Sequence, residues 1–273
     1  FSCSETGDNT VTLTVTDVNG NVNSAEATVT IEDNTAPTVL TMDNTIALDQ
    51  NGSATLTPDM VDDGTYDNCS FTRTVTPSSF GCNNIGLNSV IFLATDASGN
   101  QTIGSAMVDV VDNLPPEVYT QDITVELDEN GQASITASDV DNGTSDNCQL
   151  ESMSLDITNF DCSDIGSPVT VTLSVSDIHG NSSSQTATVT VVDNSEPTVV
   201  TQNRTVELDA SGSASVSATD IDSGSTDNCG IQGMELDQNT FGCNDVGNNT
   251  IVLTVTDVNG NENSKVATVT VED

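Results

Sequence analysis

One pattern, Asp-x-x-Gly-Asn, returns along the chain at nearly constant spacing and restricts the fold more than any other feature. Asp17-Val18-Asn19-Gly20-Asn21 recurs from Asp96, Asp177 and Asp257, at intervals of 79, 81 and 80 residues. A second motif keeps step with it: Asp33-Asn34-Thr35-Ala36-Pro37 recurs from Asp112 and from Asp193. A period of this length makes each copy a small domain rather than a solenoid turn. Residues 34–112, 113–193 and 194–273 are then three complete units. Residues 1–33 hold the C-terminal part of a truncated repeat, about two strands, as expected for a window cut from a longer tandem array.

Within a unit the apolar residues recur with period 2, as in Val11-Thr12-Leu13-Thr14-Val15-Thr16 and Ala27-Thr28-Val29-Thr30-Ile31. That alternation predicts half-buried antiparallel strands, and no segment carries a helical period. Turn signals (Asp49-Gln50-Asn51-Gly52, Asp128-Glu129-Asn130-Gly131, Asp209-Ala210-Ser211-Gly212, and the Asp-x-x-Gly-Asn turn before the last strand) are spaced as in a sandwich. The expected fold is all-β: tandem immunoglobulin-like antiparallel β-sandwiches of about 80 residues and about seven strands each, arranged end to end.

Charge excludes whole classes of partner. Three Lys and Arg stand against 42 Asp and Glu, a formal net charge of −39. Arg73, Arg204 and Lys265 cannot neutralise a run of phosphates, so neither nucleic acid nor an anionic membrane surface is an expected partner. No stretch approaches the length of apolar sequence that a membrane span requires. Phe1 is followed by no basic and then apolar leader, so the expectation is a piece of a mature, secreted-type chain at the cell surface or outside the cell.

Seven cysteines point to an oxidising compartment. Six are expected to pair inside units, Cys69 with Cys82, Cys148 with Cys162 and Cys229 with Cys243, each closing a short loop for roughly 3 kcal/mol. Cys3 occupies the second-cysteine position of its truncated unit, so its partner is expected upstream. A cysteine-based zinc site is disfavoured, because two Cys per unit and one His in the chain cannot supply four soft ligands.

Following strand direction makes the carboxylates informative. The Asp49 turn falls at the lower end of its unit, so the next loop, Asp62 to Asn68, lies at the upper end with the Asp96 turn and the incoming linker. Asp33, Asp62, Asp67, Asp96 and Asn100 are therefore expected at one junction. Asp112, Asp141, Asp146, Asp177 and Asn181 are expected at the second, and Asp193, Asp222, Asp227, Asp257, Asn259 and Asn261 at the third. So many carboxylates in one loop cluster repel unless a cation lies among them. Ca²⁺, with 6 to 8 oxygen ligands in flexible geometry, suits them better than Mg²⁺. The competing reading is that Asp, Asn and Gly here only form turns, and the Asp49, Asp128 and Asp209 turns are read mainly that way.

The strand pattern Val-Thr-Asp-x-x-Gly-Asn, followed by Ala-Thr-Val-Thr-Val-x-Asp-Asn-x-x-Pro, resembles the hyalin-repeat-like and bacterial immunoglobulin-like extender modules of giant surface adhesins. With Asp67-Asn68-Cys69 and Gly81-Cys82 added, it is most similar to repeats of flavobacterial surface proteins, including SprB-type gliding adhesins exported by type IX secretion. The resemblance covers the whole chain. It implies a calcium-stiffened stalk that holds an adhesive tip away from the cell, with neighbouring repeats as its immediate partners and a surface glycan or protein as the tip's ligand. Ser98 and His179 replace the Asn of Asn19 and Asn259, which weighs against a side-chain ligand there.

An enzyme is not expected. His179 is the single His and has no counterpart in the other copies, and no Trp is present to line a sugar cleft. No phosphate loop or Ser-His-Asp set can be assembled. Asn-x-Ser/Thr sequons such as Asn51-Gly52-Ser53 are weak signals in so Asn-rich a chain. Two other readings remain: an array of glycan- or protein-binding modules, whose variable part would be Ser70 to Gly81 and its equivalents, or the subunit of a laterally packed fibre. Prolines 37, 115, 116 and 197 stiffen the linkers.

Overall fold

In a computed structural model that describes residues 1–273, the chain is all-β, and each complete repeat is an immunoglobulin-like arrangement of a four-stranded sheet and a two-stranded ribbon. The chain separates into two compact units. One comprises Phe1–Pro116 with Asp146–Leu150 and Asp177–Asn181; the other comprises Glu117–Ser145, Glu151–Ser176 and Ser182–Asp273.

In the first unit, the sheet runs in the order Asn44–Ala47, Gln101–Val111, Gly86–Asp96, Phe71–Thr76, and the ribbon joins Ser53–Thr55 to Ser79–Gly81. The alternation of Gly86–Asp96 turns Val90, Phe92 and Ala94 inward, each 0% exposed. Ala106, Val108 and Val110 of the adjacent strand do the same, and Leu56, Val61, Val75 and Phe80 close the core. The second unit repeats this scheme with Ile251, Leu253, Val255, Val269 and Val271 against Phe241, Val216 and Ile221. Burying β-branched and aliphatic side chains on one face of each strand is the main stabilising term in cores so poor in aromatics.

Three expectations need correction. The pairing is not wholly antiparallel, because Asn44–Ala47 runs parallel to Gln101–Val111, as Arg204–Glu207 does to Glu262–Glu272. The reason is chain direction. The chain enters this repeat at one end and leaves it at the other, so its first and last strands run the same way. Each complete repeat has six strands rather than seven, since the stretch after the linker makes only single bridges, Thr38 to Tyr66 and Thr41 to Asp62. Single helical turns also occur, Ala137–Val140 and Ala218–Ile221, where Asp139 and Asp220 reach back to the backbone N–H groups of Thr136 and Ser217. Four residues are too few to leave a periodic signal.

Residues 1–33 form a hairpin of Gly7–Thr16 and Val22–Ile31 in register from Gly7–Ile31 to Thr16–Val22. Leu13 and Val15 occupy the positions that Phe92 and Ala94 hold one period later and are 68% and 59% exposed. The fully buried position gives a direct test. Phe92→Ala should destabilise its repeat by about 3–5 kcal/mol, read from denaturant midpoints followed by near-UV circular dichroism.

Candidate metal centres at the repeat junctions

Each Asp-x-x-Gly-Asn turn is a closed local structure. Asp96 Oδ1 accepts from the backbone N–H groups of Ser98 (2.9 Å) and Asn100 (2.8 Å), and Oδ2 accepts from the Asn100 side chain (2.8 Å). Gly99, at φ +94°, supplies the left-handed step that closes the turn. Asp17, Asp177 and Asp257 are held alike. Burial works to raise the Asp96 carboxyl, but the Asn100 side chain and the turn's N–H groups outweigh it and hold the carboxyl below the ordinary range. The same contest, settled the same way by Asn181 and the His179 N–H, lowers Asp177.

The Asn of the turn also reaches the linker. Asn100 Nδ2 donates to the carbonyl of Asp33 at 2.8 Å, Asn181 to that of Asp112 at 3.1 Å, and Asn261 to that of Asp193 at 3.1 Å. These amides act as clamps rather than as free ligands. Asn259, expected at the third site, contributes its backbone N–H to Asp257 and is exposed, so it stands outside the cluster.

Three carboxylate groups meet at the first junction: Asp33 from the linker, Asp67 from the Asp-Asn-Cys loop and Asp96 from the turn, with one ligand atom of each within 4.8 Å of the others. Asp193, Asp227 and Asp257 form the equivalent set at the third junction. At the second, Asp112 and Asp177 are joined by His179, whose Nδ1 lies 3.4 Å from Asp112 Oδ2. Each of these clusters lies within one compact unit.

In the linker and loop carboxylates, unlike those of the turns, the hydrogen bonds fall on one oxygen and leave the other bare. Asp67 Oδ2 accepts from the Cys69 N–H, Asp146 Oδ2 from those of Cys148 and Gln149, and Asp227 Oδ2 from those of Cys229 and Gly230. Asp33, Asp112 and Asp193 use Oδ1 for an N–H two residues on and for the amide of Asn68, Asn147 or Asn228. The remaining oxygens, Oδ2 of Asp33, Asp112 and Asp193 and Oδ1 of Asp67, Asp146 and Asp227, are buried with no hydrogen-bond partner. Six desolvated anionic oxygens, two per junction, are each costly to leave uncompensated.

Asp62, Asp141 and Asp222 have a different task. Each is bridged through its backbone to the stretch after the linker, at Thr41, Thr120 and Thr201. Each also accepts the N–H three residues on. Asp62 is further engaged by Arg73. They fix the loop and are not members of the clusters.

The cysteines pair between successive repeats rather than within them. The bonds are Cys3–Cys69, Cys82–Cys148 and Cys162–Cys229, with Cα separations of 5.5 to 5.7 Å, and Cys243 is free and exposed. This replaces all three expected intra-repeat pairs, and it gives Cys3 a partner inside the chain. The reason is strand length. Between Cys69 and Cys82 the strand Phe71–Thr76 traverses about 20 Å, and Gly81 then pairs with Ser53 beside the Asp49 turn, at the opposite end from Asp67. A disulfide tolerates a Cα separation of under about 7 Å. Enclosing 66 or 67 residues rather than 13 or 14 raises the chain-entropy contribution to about 4 kcal/mol.

The Asp49 and Asp128 turns, read from sequence mainly as hairpin turns, are also docking surfaces. Asn147 Nδ2 donates to the Asp49 carbonyl at 3.3 Å and Asn228 Nδ2 to the Asp128 carbonyl at 3.0 Å. Gly52 makes room for this contact, since a Cβ there would lie 2.5 Å from the Asn147 carbonyl and 2.8 Å from Cys82 Sγ. The Asn of Asp-Asn-Cys was the residue that sequence reasoning missed. Its presence at the same place in Asn68, Asn147 and Asn228 was the available signal.

No family model matches the chain, and no curated protein matches it. Among solved structures it is similar to an I-band fragment from titin at 9% identity, covering 87% of this chain and 99% of that one with a TM-score of 0.37. It is also similar to the protocadherin GammaB4 extracellular domain at 16% identity and a TM-score of 0.30, covering 97% of this chain and 55% of that one. The chain thus spans about half the length of that protocadherin.

Two outcomes follow from this geometry. Peptide mapping without reduction should recover the linkages Cys3–Cys69, Cys82–Cys148 and Cys162–Cys229; a Cys69–Cys82 peptide would refute the pairing. Because the Asp96 carboxyl is lowered in the folded state, its contribution to stability is intact above about pH 5. It is lost progressively as pH falls below the unfolded value of about 3.9 and through the lower folded one. Asn100→Ala should move the Asp96 titration midpoint upward in a carboxyl-carbon NMR titration and make the acid loss of stability shallower.

Proposed function

We propose that the chain is a stalk segment of a long extracellular adhesin or filament, in which Ca²⁺ at each repeat junction and disulfides between repeats resist bending. The proposed modules are residues 34–112, 113–193 and 194–273, preceded by the end of another repeat. Tandem immunoglobulin-like repeats joined by three disulfides are the coarser description that the reading starts from. Such bonds persist in oxidising surroundings, which favours a location outside the cell. No helix is long and apolar enough to cross a membrane.

The observation that carries the reading is the pair of bare, buried carboxylate oxygens at every junction. The residues present fit the cation. Its ligands would come from Asp33, Asp67 and Asp96, from Asp112, Asp146 and Asp177, and from Asp193, Asp227 and Asp257. Carboxylate oxygens in loops suit Ca²⁺, which accepts irregular coordination. Bound there, the cation supplies the positive charge that three converging chain segments lack, so docking of linker, loop and turn becomes favourable. Ca²⁺ bound only to the docked form adds RT ln(1 + [L]/Kd), about 2.7 kcal/mol at a hundredfold excess over Kd. The covalent bond and the ionic site divide the labour: the disulfide limits separation, and the cation fixes the angle. The surplus negative charge keeps neighbouring chains apart.

Ca²⁺ should raise the thermal midpoint of the whole chain and hold its small-angle scattering profile extended, and EGTA should reverse both. The triple variant Asp67→Asn, Asp146→Asn, Asp227→Asn should lose the Ca²⁺ response while keeping the disulfides. A wild-type chain indifferent to Ca²⁺ and EGTA would overturn the calcium reading and turn attention to ligand recognition by the segments between the cysteines.

A further inference from the structure

The second junction departs from the other two in chemistry. Ser98 and Asn259 stand where His179 stands here, and only this cluster includes a nitrogen donor. The His179 ring is 19% exposed and its Nδ1 has no hydrogen-bond partner. It faces Asp112, whose side chain is fully buried and whose Oδ2 is likewise without a partner. Asp146 Oδ1 and Asn147 Oδ1, from the loop that docks on the same linker, are two further buried acceptors without donors. Three of these atoms are acceptor-only oxygens, and a proton on His179 Nδ1 would serve Asp112 Oδ2 alone, so the others still call for a positive centre. Arg73, Arg204 and Lys265 supply none here, since no ion pair of theirs reaches these residues.

Imidazole nitrogen discriminates between cations. Ca²⁺ takes oxygen ligands, whereas imidazole suits Zn²⁺ and its neighbours in the first transition row. The 3.4 Å between Nδ1 and Oδ2 is close to the edge of a tetrahedron with bonds of about 2.0–2.1 Å. We propose that the second junction is a selective site for a borderline divalent transition cation such as Zn²⁺, held by His179 Nδ1 and the carboxylates of Asp112 and Asp177, which lie within 4.8 Å of one another, with the bare Oδ1 of Asp146 in the adjoining loop as a further donor. The inference rests on the reading of the junctions as cation sites, but it concerns a different metal at one of them. The backbone clamp Asn181 to Asp112 and the disulfide Cys82–Cys148 pre-position the donors, so metal capture needs little ordering.

The chain's single imidazole makes the test direct. The full-length protein, stripped with EDTA and returned to millimolar CaCl₂, is titrated with ZnCl₂ by calorimetry, and the His179 ring nitrogens are followed by ¹H–¹⁵N NMR. The expected result is one Zn²⁺ per chain, a shift of the Nδ1 resonance that saturates at one equivalent, and at least a tenfold loss of affinity in His179→Asn. Asn occupies this position at Asn19 and Asn259, so the variant is compatible with the turn. Zn²⁺ binding that leaves the ring resonances unmoved, or equal affinity in the variant, overturns the proposal. Ring signals that report an imidazolium paired with Asp112 and insensitive to Zn²⁺ do so as well. If Ca²⁺ has no effect at any junction while one Zn²⁺ still shifts Nδ1, the calcium stalk fails and the zinc site stands.

Discussion

Burial of like charges at the junctions is the constraint around which the rest of the molecule is arranged. At each one a linker carboxylate and a loop carboxylate turn one oxygen into the protein with nothing to donate to it, beside a third carboxylate already saturated by its own turn. That arrangement is unfavourable in isolation, so the surrounding structure has to hold it. Backbone N–H groups from the Asp-Asn-Cys loop fix one side, the turn Asn amide fixes the linker carbonyl, and a disulfide prevents the loop from leaving. Each hydrogen bond is modest alone. Together they convert three separately flexible segments into one preorganised set of acceptors.

The sandwich cores serve this arrangement by delivering the segments to the right end. Long central strands such as Gly86–Asp96 and Gln101–Val111 span the repeat, so the Asp96 turn and the departing Asp112 linker lie at opposite ends of it. The parallel pairing of first and last strands is the same fact in another form. A chain that always enters at one end and leaves at the other can be extended indefinitely, and each exit linker becomes part of the next site. The clasp between Asn147, Gly52 and Cys82 couples the exit end of one repeat to the loop of the following one.

Asp appears at several places in each repeat with separate physical roles. Asp96 closes a turn, Asp62 bridges the loop to the stretch after the linker, and Asp33 and Asp67 carry the bare oxygens. Composition cannot distinguish them. What does is the number of N–H groups that the local backbone aims at each carboxylate. A carboxylate satisfied on both oxygens first closes its own turn, whereas one satisfied on a single oxygen and buried leaves the other oxygen uncompensated.

Much of the fold was legible in the sequence because its signals are local. The 79-to-81-residue period, the alternation in Val11 to Thr16, and the Asp-x-x-Gly-Asn turns each depend on residues within a few positions of one another, and strand direction followed from their order. Strand direction also sufficed to bring the linker, loop and turn aspartates to one end. The cysteine partners were not legible, because nearness in sequence favours Cys69 with Cys82 while a strand of about 20 Å holds them apart. Nor could the sequence tell Asp62 from Asp67, or find the role of Asn147, since those depend on which backbone N–H groups converge in space. The sequence by itself determined the repeat, the strands and the end of the domain at which charge collects. Only the tertiary structure decided which oxygens are left bare, which cysteines meet and that His179 faces Asp112, because those are distances between segments that the chain's own order does not set.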